Sequence, residues 1–438
     1  MKPIPHPRLF PRSPRYTVTV NGHPQEVLQA TGADFVIAEG DGPVEVVVEV
    51  ADASMANPEG GSAEPCVRPL ARQVECRREE GTLSFTVPAP GNYHLDLSRE
   101  HPLYLFFHKP ETAPLPSGNA AVHHFRGGQV HEIGKLQLRD GETVYLEAGA
   151  VVRGAIEARG VRDITIAGHG ILDNSYFNRP GEATYPILVE DSVNVTLRDL
   201  TMIEPTRWTC LLRNCEQIRV DNLRQITVGG GRDGLDLVSC RHAVVRDCFI
   251  RAGDDCIVVK AHSGKVGHPE PGKDSFDILV EGCSLLNDGG GSALEIGHEL
   301  RTDSVRDITF RDCDILHVHG MGAAISINNG GQAIVENIRY EDIRIEHYYD
   351  NLFWIRVIES RYSGTPQRGH IRNLCFRDIA VRDSIYNPGY SISVIGGFDP
   401  EHRVEDVRFE NLRINGRRIT DLHEMDCFVR DTGNIAFS

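Results

Sequence analysis

The chain has 438 residues, 62 acidic against 46 Lys and Arg, for a formal charge of −16. With 40% hydrophobic and 25% charged residues, the composition is that of a globular protein and excludes wholesale disorder. The acidic balance argues against nucleic acid as the partner, because phosphate contacts need clustered Lys and Arg.

No apolar run approaches the roughly 18–20 residues that cross a bilayer, so no membrane span is expected. The opening stretch MKPIPHPRLFPRSPRYTVTVNG is broken by Pro3, Pro5, Pro7 and Pro11 and has no apolar h-region, so no secretory signal is expected. Eleven cysteines without a CxxC pair read as free thiols rather than a disulfide or zinc framework. Together these features predict a cytoplasmic address, with a secreted protein already trimmed of its signal as the alternative.

Residues from about 16 to 108 carry short alternating stretches, YTVTVNG, VEVVVEV, GTLSFTVPAP, NYHLDLS and LYLFFHKP, separated by turn residues. Period-2 alternation of this kind predicts a small antiparallel β-sandwich. The proline-rich segment Pro110 to Gly118 reads as a linker, so the expected division is 1–118 and 119–438.

From about residue 128 the sequence repeats itself. DITIAG, NVTLRDL, QIRVDNL, AVVRDC, ILVEGC, DITFRDC, NIRYEDI, LCFRDI and DVRFENL form one column, starting at Ile164, Val195, Ile218, Ala243, Ile278, Ile308, Ile338, Leu374 and Val407. The mean interval is about 30 residues, a solenoid period in which each coil buries its apolar face only against its neighbours. A second column runs out of phase: PILVEDS, TCLLRNC, DGLDLVSC, DDCIVVKA, SALEIGHE, AAISINNG, LFWIRVIE and YSISVIGG. Two strand columns per coil without helical periodicity predict an all-β chain, an N-terminal sandwich followed by a right-handed parallel β-helix. Cys248, Cys283 and Cys313 share one repeat position and are expected to stack inside.

Stacked coils align equivalent side chains, and like charges there repel, yet the second column gathers Asp233 and Asp236 in GGGRDGLDL with Asp254 and Asp255 in RAGDDCIVVK. Asp233 and Asp254 are 21 positions apart, about one short coil. A lone Asp at a coil corner is a turn residue, and clustered Asp also suits calcium. Three carboxylates side by side have their proton affinities driven apart, which supplies the acid and base of glycoside hydrolysis. For two groups flanking a bond with inversion, the expected separation is roughly 6.5–9.5 Å.

RDGLD followed by GDDC resembles the NTDGID and GDDC signature of the polygalacturonase family, glycoside hydrolase family 28. TVYLEAGAVVRGAI, ITIAGHGILDN and PTRWTCLLRNCEQIRVDNL agree with it, over roughly residues 130 to 420. The resemblance implies a right-handed parallel β-helix and hydrolysis with inversion, Asp254 as general acid, and Asp233 and Asp255 holding the attacking water. Two family features are absent. The Gly-His-Gly histidine is missing near Asp288 to Ser292, where the chain reads DGGGS, and the Arg-x-Lys that grips a uronate carboxylate has no counterpart in AAISINNGG. The order of domains, with GHELRTDSVRDITFRDCDILH and IRYEDIRIEHYYDNLFWIRVIES, resembles dextranase and isopullulanase, glycoside hydrolase family 49, and implies a neutral α-linked glucan.

Sugars bind through aromatic faces and bidentate polar groups, so the expected subsite residues are Trp208, Asp236, Lys260, Glu295, His298, Glu299, Asn328, Trp354 and Arg356. The plainer alternatives are packing for Trp208 and Trp354, an ion-pair role for Lys260, a turn role for Asp236, a structural role for His298, and surface placement for Glu295, Glu299, Asn328 and Arg356. No metal site and no cofactor are expected, and the partner is an oligo- or polysaccharide. The insertions His262 to Asp274 and Tyr362 to Gly369 are expected to wall the groove. The leading expectation is an inverting hydrolase of a neutral α-glycan. The alternatives are a hydrolase of pectic uronides, a calcium-dependent lyase and a non-catalytic carbohydrate-binding β-helix.

Overall fold

The computed structural model describes residues 1–51, 65–97, 101–111, 121–265, 268–382 and 392–438. Most of the expected linker, residues 112–118, therefore lies outside the described residues, as do residues 266 and 267 of the His262 to Asp274 insertion. Among the described residues no helix is long and apolar enough to cross a membrane.

Two small sheets form the N-terminal unit, and strands 16–20, 44–50 and 82–87 pair antiparallel as alternation requires. The other sheet departs from the antiparallel expectation, because Ala33–Glu39 and Leu103–His108 run parallel, Phe35 opposite Tyr104 and Ile37 opposite Phe106. Both strands are buried on both faces, the usual condition of parallel pairs. One face packs into the sandwich core with Val18, Val46 and Phe85; the other turns Phe35, Tyr104 and Phe106 toward the second unit.

The second unit is a right-handed parallel β-helix. All nine first-column residues from Ile164 to Val407 stack in register, each opposite the next, and Ile435 caps the series. The residue before each of these apolar positions takes a left-handed conformation in most coils, as at Asp163, Asn194, Asp277, Asp307, Asn337, Asn373 and Asp406. Asp and Asn tolerate that region best among non-glycine residues, and Asn194, Asn337 and Asn373 donate to the equivalent residue one coil back. Inside, Phe310, Tyr340, Phe376, Phe409 and Phe437 form a ladder with ring centroids 4.9–5.0 Å apart. That spacing is the inter-strand distance of a sheet. Cys248, Cys283 and Cys313 are buried in the same core.

Each central coil has three strands rather than the two expected. The third column comprises short strands such as Ile171–Asp173, Thr201–Ile203, Arg224–Ile226, Phe249–Ala252 and Ser284–Asn287. Three or four residues are too few to show alternation. Their outward faces are apolar as well: Ile171, Ile203, Ile226, Phe249 and Leu286 pack against the sandwich. Phe249 meets Tyr104 at 5.0 Å and Phe106 at 5.2 Å. Arg68 fastens the seam, pairing with Asp96 of its own unit at 2.8 Å and Glu346 of the β-helix at 2.6 Å.

The sandwich is thereby held beside the turns that follow the third column. A Cβ on Gly32 (φ +77°) would stand 2.7 Å from Val228 and 3.1 Å from Arg251. Those two residues immediately precede the turns carrying Asp233 and Asp254.

Candidate active site

The turns before strands Leu235–Val238 and Ile257–Ala261 lie one above the other. Gly234 N–H donates to the Asp255 carbonyl at 2.8 Å, and Leu235 N–H to Cys256 at 2.9 Å. This pairing brings Asp233, Asp254 and Asp255 together, with one carboxylate oxygen of each within 4.8 Å of the others. These are the nearest oxygens of each group rather than the carboxyl-to-carboxyl span. The carboxylates leave consecutive coils, and the coil rise sets their separation.

Lys260 lies beneath the triplet. Its Nζ donates to Asp233 Oδ2 and Asp236 Oδ1, both at 2.9 Å, and stands 3.6 Å from the centre of the Trp208 ring. Lys260, Asp233, Asp236 and Trp208 are all buried. Lys260 and Asp236 are thus internal ion-pair partners rather than groups presented to a sugar, and Trp208 packs with Leu188, Leu211 and Val238. An ion-pair role accounts for the placement of Lys260, and packing for that of Trp208.

Burial drives the carboxyls upward. Asp233 is pushed up to about 6 by burial and by Asp254, with Lys260 opposing. Asp236 is pushed well above the usual range by burial, against Lys260, and its hydrogen bond to Asp233 raises it further. The ammonium of Lys260 stays charged, raised by Asp233 and Asp236 against burial. Asp255 is raised well above its usual range by burial, then by Glu295 and Asp233. The site thus holds Asp233, near 6, beside carboxyls that hold their protons more tightly than an ordinary aspartate.

Backbone amides aim the other two carboxylates: Gly231 N–H donates to Asp254 Oδ2 and Ser292 N–H to Asp255 Oδ1, each at 2.7 Å. The DGGGS segment is pressed against this pair. A Cβ on Gly291 (φ +73°) would fall 2.4 Å from Asp254 Oδ1 and 2.6 Å from Asp255 Oδ1. Glycine is required there on both conformational and steric grounds. Ser292, which sequence reasoning passed over, is buried; the Gly run one coil after the double Asp was its signal.

The remaining candidates continue along the same outward face. Asp236, Val258, Glu295, Ser326 and Trp354 are in register in successive coils, and Gly297, Asn328 and Arg356 form the neighbouring row. Asn328 donates to Glu295 Oε1 at 3.0 Å and to Ser326 Oγ at 2.7 Å. Arg356 donates to Asn328 Oδ1 from Nε at 3.0 Å and Nη2 at 2.8 Å, with its guanidinium 3.6 Å over the Trp354 ring. Burial raises Glu295 to about 7, and Ser326, Asn328 and Ser292 oppose it. Burial lowers Arg356 to about 10, so it remains charged at neutral pH. Glu295, Asn328 and Glu299 are buried, so the surface alternative fails for them. His298 is neutral, lowered to about 4 by burial, with Nδ1 3.2 Å from Ser360 Oγ and its ring 5.4 Å from Tyr362. Tyr362 belongs to the loop expected to wall the groove.

Residues 148–379 match the family described as Glycosyl hydrolases family 28. The chain is 24% identical over 271 residues to "Exopolygalacturonase rpg15" of Rhizopus delemar, covering 57% of this chain and 63% of that protein. It is 23% identical over 170 residues to "Polygalacturonase" of Chamaecyparis obtusa, covering 36% and 29%. The chain thus spans less than two thirds of the length of these relatives. Among solved structures, Dex49A from Penicillium minioluteum is similar in fold, with a TM-score of 0.59 at 13% identity over 98% of this chain and 97% of that one. The polygalacturonase from Erwinia carotovora ssp. carotovora gives 0.50 at 14% identity over 72% and 89%. The family match extends over more than half of the chain and contains all three clustered carboxylates: the chain belongs to glycosyl hydrolases family 28.

Proposed function

We propose that the chain hydrolyses an α-glycosidic bond in a pectic, uronide-containing oligo- or polysaccharide, with Asp233, Asp254 and Asp255 performing the chemistry. Family membership and the names of its relatives support this over the neutral glucan expected first. Arg356 carries the reading. Ser326 and Asn328 occupy the coil in which the Arg-x-Lys of the family resemblance was sought, and Arg356, one coil later, reaches back over Asn328 with two nitrogens. A planar guanidinium there is suited to bidentate recognition of a carboxylate.

A proton passes from the Asp254/Asp255 pair to the leaving oxygen as the glycosidic C–O bond breaks, while an ionised neighbour takes a proton from the water that bonds to the anomeric carbon. The family resemblance gives the delivery to Asp254. Asp233 is buried and already bonded to Lys260, which disfavours its direct attack on a sugar carbon and supports activation of water. Inversion follows from that arrangement. A cation at the triplet would face the ammonium of Lys260, which weighs against the calcium-dependent lyase.

A second reading, a neutral α-glycan, is favoured by the surplus of acid in the groove: Asp233, Asp236, Asp254, Asp255 and Glu295 against Lys260 and Arg356. Arg356→Ala separates the two. It should raise KM for oligogalacturonate by about tenfold or more, the equivalent of one charge-assisted contact. Activity confined to dextran, pullulan or related neutral oligosaccharides and indifferent to Arg356 would establish the second reading instead.

A further inference from the structure

A second group of metal-ligating side chains lies outside the carboxylate site, where the third column meets the seam with the sandwich. His317 is the penultimate residue of the strand Ser304–Val318, and His319 follows just beyond its end. Residues at i and i+2 share one face of an extended chain. One coil on, Val318 bridges Tyr348, which brings His347 beside His317 and Tyr349 beside His319. One coil back, Leu286 is opposite His317 and Asn287 opposite Val318, so Asp288 comes alongside His319. The backbone grid alone therefore assembles three imidazoles, with a carboxylate at one end and a phenol at the other.

The side chains close this arrangement. One ring nitrogen from each histidine lies within 4.8 Å of the others, and His319 Nδ1 is 2.9 Å from His347 Nε2. The rings stack 4.7–5.2 Å apart, tilted by 15–25°. Asp288 Oδ1 stands 3.1 Å from His317 Nε2. Arg251 Nη2 stands 2.6 Å from Asp288 Oδ2 on its other side. His317 and His347 are buried, while His319 is partly exposed and meets the 40% exposed Tyr349 at 4.8 Å. The cluster therefore has a rigid back and an open edge.

We propose that His317, His319 and His347 bind a borderline divalent transition-metal ion, of which zinc is the representative, with Asp288 orienting His317 from behind. Zinc accepts imidazole nitrogens at about 2.0–2.1 Å, so nitrogens sharing one tetrahedral ion lie roughly 3.3 Å apart. Small ring rotations bring these three to that spacing. The donor set excludes calcium and magnesium as the preferred ions, because those take oxygen ligands. A site built on the stacked turns ties successive coils of the β-helix together, and its ligands are distinct from the three clustered carboxylates.

The test uses the full chain stripped with EDTA and then titrated with zinc chloride, with metal content measured after gel filtration. Cobalt(II) absorption serves as a probe of coordination. One zinc per chain and a tetrahedral cobalt spectrum are expected, both lost in His319→Ala and in His347→Gln and both kept in Asp254→Asn. His319 is partly exposed, so that variant should match the wild-type melting temperature without metal, which separates loss of the site from loss of fold. No retained zinc in the wild type would overturn the proposal. So would zinc that survives both histidine variants, or zinc that disappears with Asp254→Asn and so belongs to the carboxylates.

Discussion

Lys260 Nζ sits 2.9 Å from both Asp233 Oδ2 and Asp236 Oδ1, with all three groups buried. Removing one partner of a buried pair leaves an uncompensated charge and costs about 3–5 kcal/mol. Lys260→Met should therefore lower the melting temperature markedly and abolish turnover. Adding Asp236→Asn, which removes the second buried acid, should recover part of the stability. A Lys260→Met protein as stable as the wild type, measured by calorimetry, would show that the ammonium is not what holds Asp233 in place.

Glu295 provides a pH signature. Its folded value of about 7 lies above its ordinary 4.5. Between those values the unfolded chain has released a proton that the folded chain keeps, so stability falls as pH rises through that window. Asp233, raised to about 6, adds the same sign over the lower part. Glu295→Gln cannot release that proton, so its melting temperature relative to the wild type should improve from about pH 5 to about pH 7.5. A difference independent of pH would show that Glu295 titrates normally.

Two neighbouring glycines give an internal control. A Cβ on Gly291 would strike the carboxylates of both Asp254 and Asp255, whereas one on Gly230 meets nothing within 4 Å. Gly291→Ala should lower kcat by about a hundredfold or more, the scale on which a displaced acid or base group acts. Gly230→Ala should stay near wild type in rate and stability. Equal effects in the two variants would mean that the loop moves aside and the close packing has no catalytic consequence.

The stereochemistry can be read directly. Proton NMR in the first minutes of hydrolysis of an α-linked substrate should show the β-anomer before mutarotation, since Asp233 is enclosed and water is the nucleophile. An initial α-anomer would mean a covalent intermediate, with retention.

The column from Ile164 to Val407 was legible because every coil buries the same side of the same strand, so one apolar position recurs without exception. The third column was not, since strands such as Thr201–Ile203 are too short for alternation and the sandwich makes their outward side apolar too. The parallel pairing of Ala33–Glu39 with Leu103–His108 joins segments far apart in the chain and leaves no local mark. The carboxylate triplet showed in the spacing of 21 residues, but the burial of Lys260 and Trp208 beneath it did not. The reach of Arg356 over Asn328 and the grouping of His317, His319 and His347 arise only when separate coils are stacked.

The most direct test sets the wild type beside Asp254→Asn on polygalacturonate, oligogalacturonates, dextran and pullulan, with reducing ends and melting temperature measured together. Asp254 is partly exposed and accepts the Gly231 amide, a bond that an asparagine oxygen can keep. The expected result is hydrolysis of the uronide substrates, a loss in the variant of about 10²–10⁴-fold, and melting curves that nearly superimpose. Full activity in Asp254→Asn, or a loss of activity matched by unfolding, would contradict the account and leave the clustered aspartates as turn formers of the β-helix.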